Sequence, residues 1–298
     1  MIDAFAEGPS LDYSNLSAPD FRGAFDVPSP AANGSALARI EDRTCPGPNG
    51  PVRVRLYHPK GVGPHPITLY IHGGGFVIGS PETTDGICQS LAVGAQSLVI
   101  SPDYRLAPEA PFPTGLDDCW AALHWTASQA ETLGGDARRL AVGGDSSGGN
   151  FAAAIAQMAG RSGPPLQHQL LLYPVLDHNF ETGSYAEFAQ GYFLTAEMMR
   201  WFWRQYLPGA DKDDLRASPL RENALTNLPP ATIVTAEYDV LRDEAELYAC
   251  KLIRSGVPTK VMRYAGQIHG FLLQQGIIDD ADAALAAAAK ELGSALHG

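Results

Sequence analysis

The chain has 298 residues, 45% hydrophobic and 18% charged, with a formal net charge of -12. That length can bury a large core in one large or two smaller domains, and the balance is that of a globular enzyme, not a disordered or coiled chain. The acidity argues against a nucleic-acid partner, whose phosphates need Lys and Arg, and against stable association with anionic membranes.

Four cysteines, Cys45, Cys88, Cys119 and Cys250, form no C-x-x-C. Free buried thiols in a reducing compartment are expected. The first residues show no basic and apolar signal regions, and no run approaches the ~18 apolar residues of a spanning helix. A cytoplasmic location is the expectation.

Residues 1 to about 38 are rich in Pro, Gly and Ser, with aromatics at Phe5, Tyr13, Phe21 and Phe25. Such spaced apolar residues suggest a segment that packs on something. Residues 39–44 and 52–57 read as strands, the second alternating with period two, as antiparallel edge strands with one wet face do. A buried-type run at 67–71 leads into His72-Gly-Gly-Gly-Phe76. A helix is expected over 85–94 and a short strand over 97–101. A loop, Asp103-Tyr-Arg-Leu-Ala-Pro-Glu109, and a Pro-rich stretch follow. Leu116, Trp120, Leu123 and Ala127 then recur at helical spacing, predicting a helix over about 115–132.

The segment Leu140-Ala-Val-Gly-Gly-Asp-Ser-Ser-Gly-Gly-Asn150 follows. A small-residue helix is expected from Phe151, and a buried strand over 169–173 stopped by Pro174. The stretch 177–215 breaks the alternation. It is aromatic-rich, contains a helix with Thr195 as N-cap, and reads as an insertion. A strand at 231–235, a helix at 242–255 and a last strand at 259–264 resume the pattern. Ala281, Leu285, Ala288, Leu292 and Leu296 mark a final helix. Short apolar strands alternating with helices predict a mostly parallel sheet covered on both faces.

Gly144-Asp-Ser146-Ser-Gly148 is a G-x-S-x-G pattern between a strand and a helix, the setting of a nucleophile elbow. The serine needs a strained turn with positive φ, and side chains at Gly144 and Gly148 would collide across it. Alone the pattern is weak, since three fixed positions recur by chance in roughly one chain of this length in ten. Other residues add weight. A serine nucleophile needs a base, and around such elbows an acid and then a histidine follow the serine. Of His168, His178, His269 and His297, the first precedes its strand, the second lies in the insertion and the last is penultimate, where fraying is expected. His269 follows the last strand, at the correct end. Glu237, Asp239 and Asp243 follow the preceding strand. Asp239 is chosen because Asp243, like Glu244, falls in a helix's first turn, where the dipole explains both. His72-Gly-Gly-Gly75 and the N–H of Ser147 supply backbone donors for an oxyanion hole.

The motifs His72-Gly-Gly-Gly-Phe, Asp103 to Glu109, Gly144-Asp-Ser-Ser-Gly-Gly-Asn, Asp239-Val-Leu-Arg-Asp-Glu and His269-Gly-Phe resemble the bacterial hormone-sensitive-lipase-like esterases, in the Gly-Asp-Ser-Ala-Gly branch of the α/β-hydrolases. The match runs from about residue 52 to the C-terminus. The resemblance implies an α/β-hydrolase fold, with a mostly parallel eight-stranded sheet, helices on both faces and a helical cap. It implies a cap from residues 1–45 and 177–215 on a catalytic core of 46–176 and 216–298. It also implies Ser146, Asp239 and His269 as a triad, with Gly74, Gly75 and Ser147 as oxyanion donors.

The activity so implied is hydrolysis of short- to medium-chain acyl esters through an acyl-enzyme. No metal and no organic cofactor are expected. The partner is a small-molecule ester, and a homodimer through an edge strand stays open. Ser147 stands where the family has alanine, and Val240 where it often has proline. Asp145 and the Asp103–Glu109 stretch are read as braces. An amidase or acyltransferase on the same triad is the close alternative. A non-catalytic small-molecule receptor on this scaffold is the distant one, disfavoured because serine, acid and histidine all remain.

Overall fold

The computed structural model describes residues 12–25, 36–209 and 213–298. The expectations for residues 1–11, 26–35 and 210–212, including Phe5, lie outside these. The strands are β1 (Leu37–Cys45), β2 (Val52–Pro59), β3 (His65–Ile71), β4 (Leu98–Asp103), β5 (Gly135–Asp145), β6 (His168–Leu172), β7 (Ala231–Tyr238) and β8 (Thr259–Ile268). They form one eight-stranded sheet in the order β1-β2-β4-β3-β5-β6-β7-β8. β2 runs antiparallel to β1 and β4, and the pairs from β4 through β3 to β8 are parallel. The alternating text at 52–57 is thus an antiparallel strand, as expected, but an inner one flanked by β1 and β4 and not the edge.

Among the described residues, the helices of eight residues or more are α1 (Ala18–Phe25), α2 (Asp85–Gly94), α3 (Thr114–Gln129), α4 (Ser147–Ser162), α6 (Ala196–Tyr206), α7 (Arg242–Arg254) and α8 (Asp279–His297), with a short α5 (Gly183–Glu187) before α6. Successive strand residues point to opposite faces, so β3 sends Leu69 to one side and Tyr70 to the other. Leu69, Val142 and Ile233 pack with α3, α4 and α7. Tyr70, Leu170 and Val234 pack with α2 and α8. Burial on both faces explains why the parallel strands read as apolar runs without alternation.

Two expectations change. Leu37–Cys45 pairs along β2, so these residues belong to the sheet and a cap boundary at residue 45 is too late. His297 is not frayed: α8 runs through it, and its Nε2 lies 3.0 Å from the Ala95 carbonyl oxygen. Thr195 caps α6 as expected, accepting from the Met198 N–H at 3.0 Å.

Charge organises the edge near β2. Arg53 donates two 2.8 Å hydrogen bonds to Glu82 and one of 3.0 Å to Asp103. Its hydrogen bonds hold the Glu82 carboxyl down to about 2. Such a carboxylate adds stability above its unfolded value and loses it as pH falls through the folded one. The stability difference between wild type and Glu82→Gln should be constant above the ordinary value of 4.5 and shrink as pH falls toward 2, read by thermal melts. A pH-independent difference would contradict the pairing. Leu69→Ala, at a fully buried position, should cost about 2–5 kcal/mol in urea unfolding. Val62→Ala, at a fully exposed position, should stay within about 0.5 kcal/mol.

Candidate active site

The carboxyl ends of β3, β5, β7 and β8 bring together four loops distant in sequence, as parallel sheets do. Ser146 lies between β5 and α4 with φ 53° and ψ −119°, a conformation costly for a residue with a Cβ. Hydrogen bonds hold it there. Its N–H donates to the Leu172 carbonyl at 2.9 Å, and its carbonyl accepts from Val175 and Asn150 at 3.0 and 3.1 Å.

The flanking glycines are required by backbone proximity. A Cβ on Gly144 would stand 2.4 Å from the Gly148 carbonyl oxygen, across the turn as expected. A Cβ on Gly148 would instead meet the end of β3, 2.0 Å from the Ile71 oxygen and 2.5 Å from that of His72. The second glycine thus admits the neighbouring strand, which the motif alone does not reveal.

Ser146 Oγ lies 3.0 Å from His269 Nε2, and His269 Nδ1 lies 2.7 Å from Asp239 Oδ2. All three residues are buried. The other Asp239 oxygen accepts from the Leu241 N–H at 2.9 Å. An ionised Asp239 accepts only, so Nδ1 carries the proton and Nε2 presents its lone pair to the serine hydroxyl. The Tyr173 ring packs against the imidazole with centroids 4.8 Å apart.

The remaining candidates sit elsewhere. His168 Nε2 is 3.0 Å from Thr232 Oγ1 at the start of β6, and burial pulls its pKa down to about 4. His178 Nδ1 is 2.9 Å from Ser218 Oγ. Glu237 accepts from the Gly266 N–H at 2.7 Å. Asp243 accepts from the Ser184 N–H at 2.8 Å, and Glu244 from the Leu176 N–H at 2.6 Å. The helix dipole is therefore not their whole explanation: both carboxylates tie α7 to the segment after β6.

The loop 72–79 faces the elbow. Gly74 and Gly75 adopt φ 122° and 58°, and the Val77 and Ile78 N–H groups close a turn on the Gly74 carbonyl. Among the described residues, no protein acceptor takes the N–H of Gly74, Gly75 or Ser147. Asp145 joins the two segments by accepting from the Gly73 N–H at 3.0 Å and the Tyr70 hydroxyl at 2.9 Å. Burial pushes its pKa up to about 6. Tyr70 sits in an apolar run, and nothing in the sequence singled it out. The Asp103–Glu109 stretch braces the same loop, through Tyr104 Oη to the His72 carbonyl at 2.9 Å and the Ala107 N–H to the Phe76 carbonyl at 2.9 Å. The Ser147 side chain is fully buried.

Aromatic side chains from α6 close over the loop. Three Phe202 ring atoms lie 2.4–2.5 Å from where a Cβ on Gly75 would stand. Phe76 stacks on Tyr206 with centroids 3.9 Å apart. Phe193, itself at φ 68°, reaches to 3.6 Å from a Cβ position on Gly270, beside His269.

Comparison with known proteins identifies the family and the fold. Residues 68–273 match the alpha/beta hydrolase fold family. The chain is 42% identical over 267 residues to the carboxylesterase NlhH of Mycobacterium tuberculosis, covering 87% of this chain and 83% of that protein. It is 41% identical over 240 residues to an ethyl acetate hydrolase of Pseudomonas putida, covering 78% and 75%. A thermostable carboxylesterase cloned from a metagenomic library superposes with TM-score 0.88 at 42% identity, over 94% of this chain and 98% of that one. A thermostable esterase from Pseudomonas putida superposes with TM-score 0.93 at 37% identity, over 99% and 95%. The chain belongs to the α/β-hydrolase family, among its hormone-sensitive-lipase-like esterases.

Proposed function

We propose that this protein is a carboxylic ester hydrolase in which Ser146, His269 and Asp239 act as a triad. The observation that carries this reading is the unbroken hydrogen-bond chain from Ser146 Oγ through the imidazole to Asp239, at 3.0 and 2.7 Å. The names of its relatives point the same way.

Ser146 Oγ attacks the ester carbonyl carbon while His269 Nε2 takes its proton. Asp239 holds the tautomer and stabilises the imidazolium. The carbonyl π electrons move to oxygen, which the N–H groups of Gly74, Gly75 and Ser147 receive. His269 then gives its proton to the leaving alcohol oxygen as the C–O bond breaks. Water attacks the acyl-enzyme with His269 again as base, releasing the acid and restoring the serine.

The aromatic walls favour short- to medium-chain acyl groups. Phe202 over Gly75 and Phe193 beside His269 restrict the space at the reacting carbon. In this reading α1 and the segment 177–215 form a cap on the catalytic core. Among the described residues no helix is long and apolar enough to cross a membrane. Four free cysteines, three of them buried, fit a reducing, cytoplasmic compartment.

Ser146→Ala should lower kcat by about 10⁶ and abolish labelling by a fluorophosphonate at an unchanged melting temperature. Full turnover in that variant would sink the proposed nucleophile. Phe202→Ala should move the optimum in a p-nitrophenyl ester series toward longer acyl chains. An unchanged chain-length profile would remove Phe202 as a wall of the site.

A further inference from the structure

α1 reaches the turn that carries Gly74 and Gly75 through one side chain. Arg22 donates from Nε to the Val77 carbonyl at 2.8 Å and from Nη2 to the Ala107 carbonyl at 2.9 Å. It also grips Glu109 through two hydrogen bonds of 2.8 and 2.7 Å. Val77 closes the turn, because its N–H bonds to the Gly74 carbonyl at 3.0 Å. The Ala107 N–H donates to the Phe76 carbonyl at 2.9 Å. The guanidinium therefore completes a ring. Two consecutive carbonyls of the turn, Phe76 and Val77, are tied to residue 107, one directly and one through Arg22.

A second route joins the same parts. Phe21 meets Phe202 edge-on with centroids 5.4 Å apart, and Phe202 lies over Gly75. Trp201 beside it donates from Nε1 to the Leu16 carbonyl at 3.2 Å.

The Arg22–Glu109 pair contributes little by itself, because its side chains are 25% and 58% exposed. The carbonyl contacts matter more. They are charge-assisted and half-shielded, and they need donors held in a planar fork. A lysine ammonium on a flexible stem cannot reproduce that fork.

We propose that Arg22 is a positioning residue for the oxyanion turn, holding the Gly74 and Gly75 N–H groups where negative charge develops. This rests on the reading of Ser146 as nucleophile. Arg22 acts only through the backbone of residues 76–78. A displacement of about 1 Å at such a donor costs on the order of 10²-fold in rate.

The test compares Arg22→Met, which keeps an unbranched stem and removes the fork, with Arg22→Lys and Glu109→Gln. Arg22→Met should lower kcat by about ten- to a hundredfold with KM within about twofold. It should weaken an aryl trifluoromethyl ketone by the same factor as kcat/KM. Ser146 Oγ adds to that ketone's carbonyl carbon as its own proton passes to His269, and the carbonyl π pair becomes an alkoxide facing the turn, so the ketone's affinity reports donor placement. Arg22→Lys should fall between wild type and Arg22→Met. Glu109→Gln, which removes the exposed ion pair, should stay near wild type.

Unchanged kcat and ketone affinity in a folded Arg22→Met would overturn the proposal. So would a Glu109→Gln variant as impaired as Arg22→Met. If Arg22→Met melts below the assay temperature, Arg22→Lys decides: equal ketone affinity and kcat to wild type overturn the role. Activity surviving in Ser146→Ala would instead remove the nucleophile, an outcome separate from any Arg22 result.

Discussion

The carboxyl end of β3 and the turn at Ser146 touch backbone to backbone, and the rest of the site depends on that contact. Gly148 admits the Ile71 and His72 carbonyls where any side chain would collide. The elbow and the 72–79 loop are therefore neighbours by steric necessity. Asp145 then fastens them by taking the Gly73 N–H. A buried carboxylate with only neutral donors is an expensive fastener, which is why its pKa is pushed up. Its two donors offset part of that cost and fix the loop's orientation against the serine.

Packing continues this constraint upward. Phe76, two residues past Gly74, stacks on Tyr206 of α6, and Phe112 and Phe151 meet the same tyrosine at 5.6 and 5.9 Å. Such pairs contribute about 0.5–1.5 kcal/mol each beyond area burial. The segment after β6 is thus an extension of the core as well as a cover. Ser146 is only 8% exposed, so its surroundings hold little water. Dry surroundings strengthen every electrostatic contact made there.

Much of this was readable in one dimension. Fully buried parallel strands must be short and apolar, so 67–71, 169–173 and 231–235 stood out. A nucleophile elbow needs glycine on both sides, so Ser146 stood out. His269 is separable from its rivals because chemistry sits at strand ends, and Asp239 from Asp243 because the latter falls in a helix's first turn. Residues 39–44 read as a strand on their own, while the cap boundary at residue 45 came with the family resemblance; pairing along β2 puts Leu37–Cys45 in the sheet. Glu244 was misread because a first-turn carboxylate is explained locally, while its actual partner, the Leu176 N–H, is 68 residues away.

The sequence by itself determined the strand–helix alternation, the elbow, the glycine loop and the residues proposed as acid and base, because local sterics and chemistry demand particular residue types there. Only the tertiary structure decided which carbonyl Gly148 accommodates, that Tyr70 holds Asp145, and that Arg22 reaches Val77 across 55 residues. Those contacts join residues whose types are unremarkable in their own segments. Their partners are set by how the elements pack, and no local pattern carries that information.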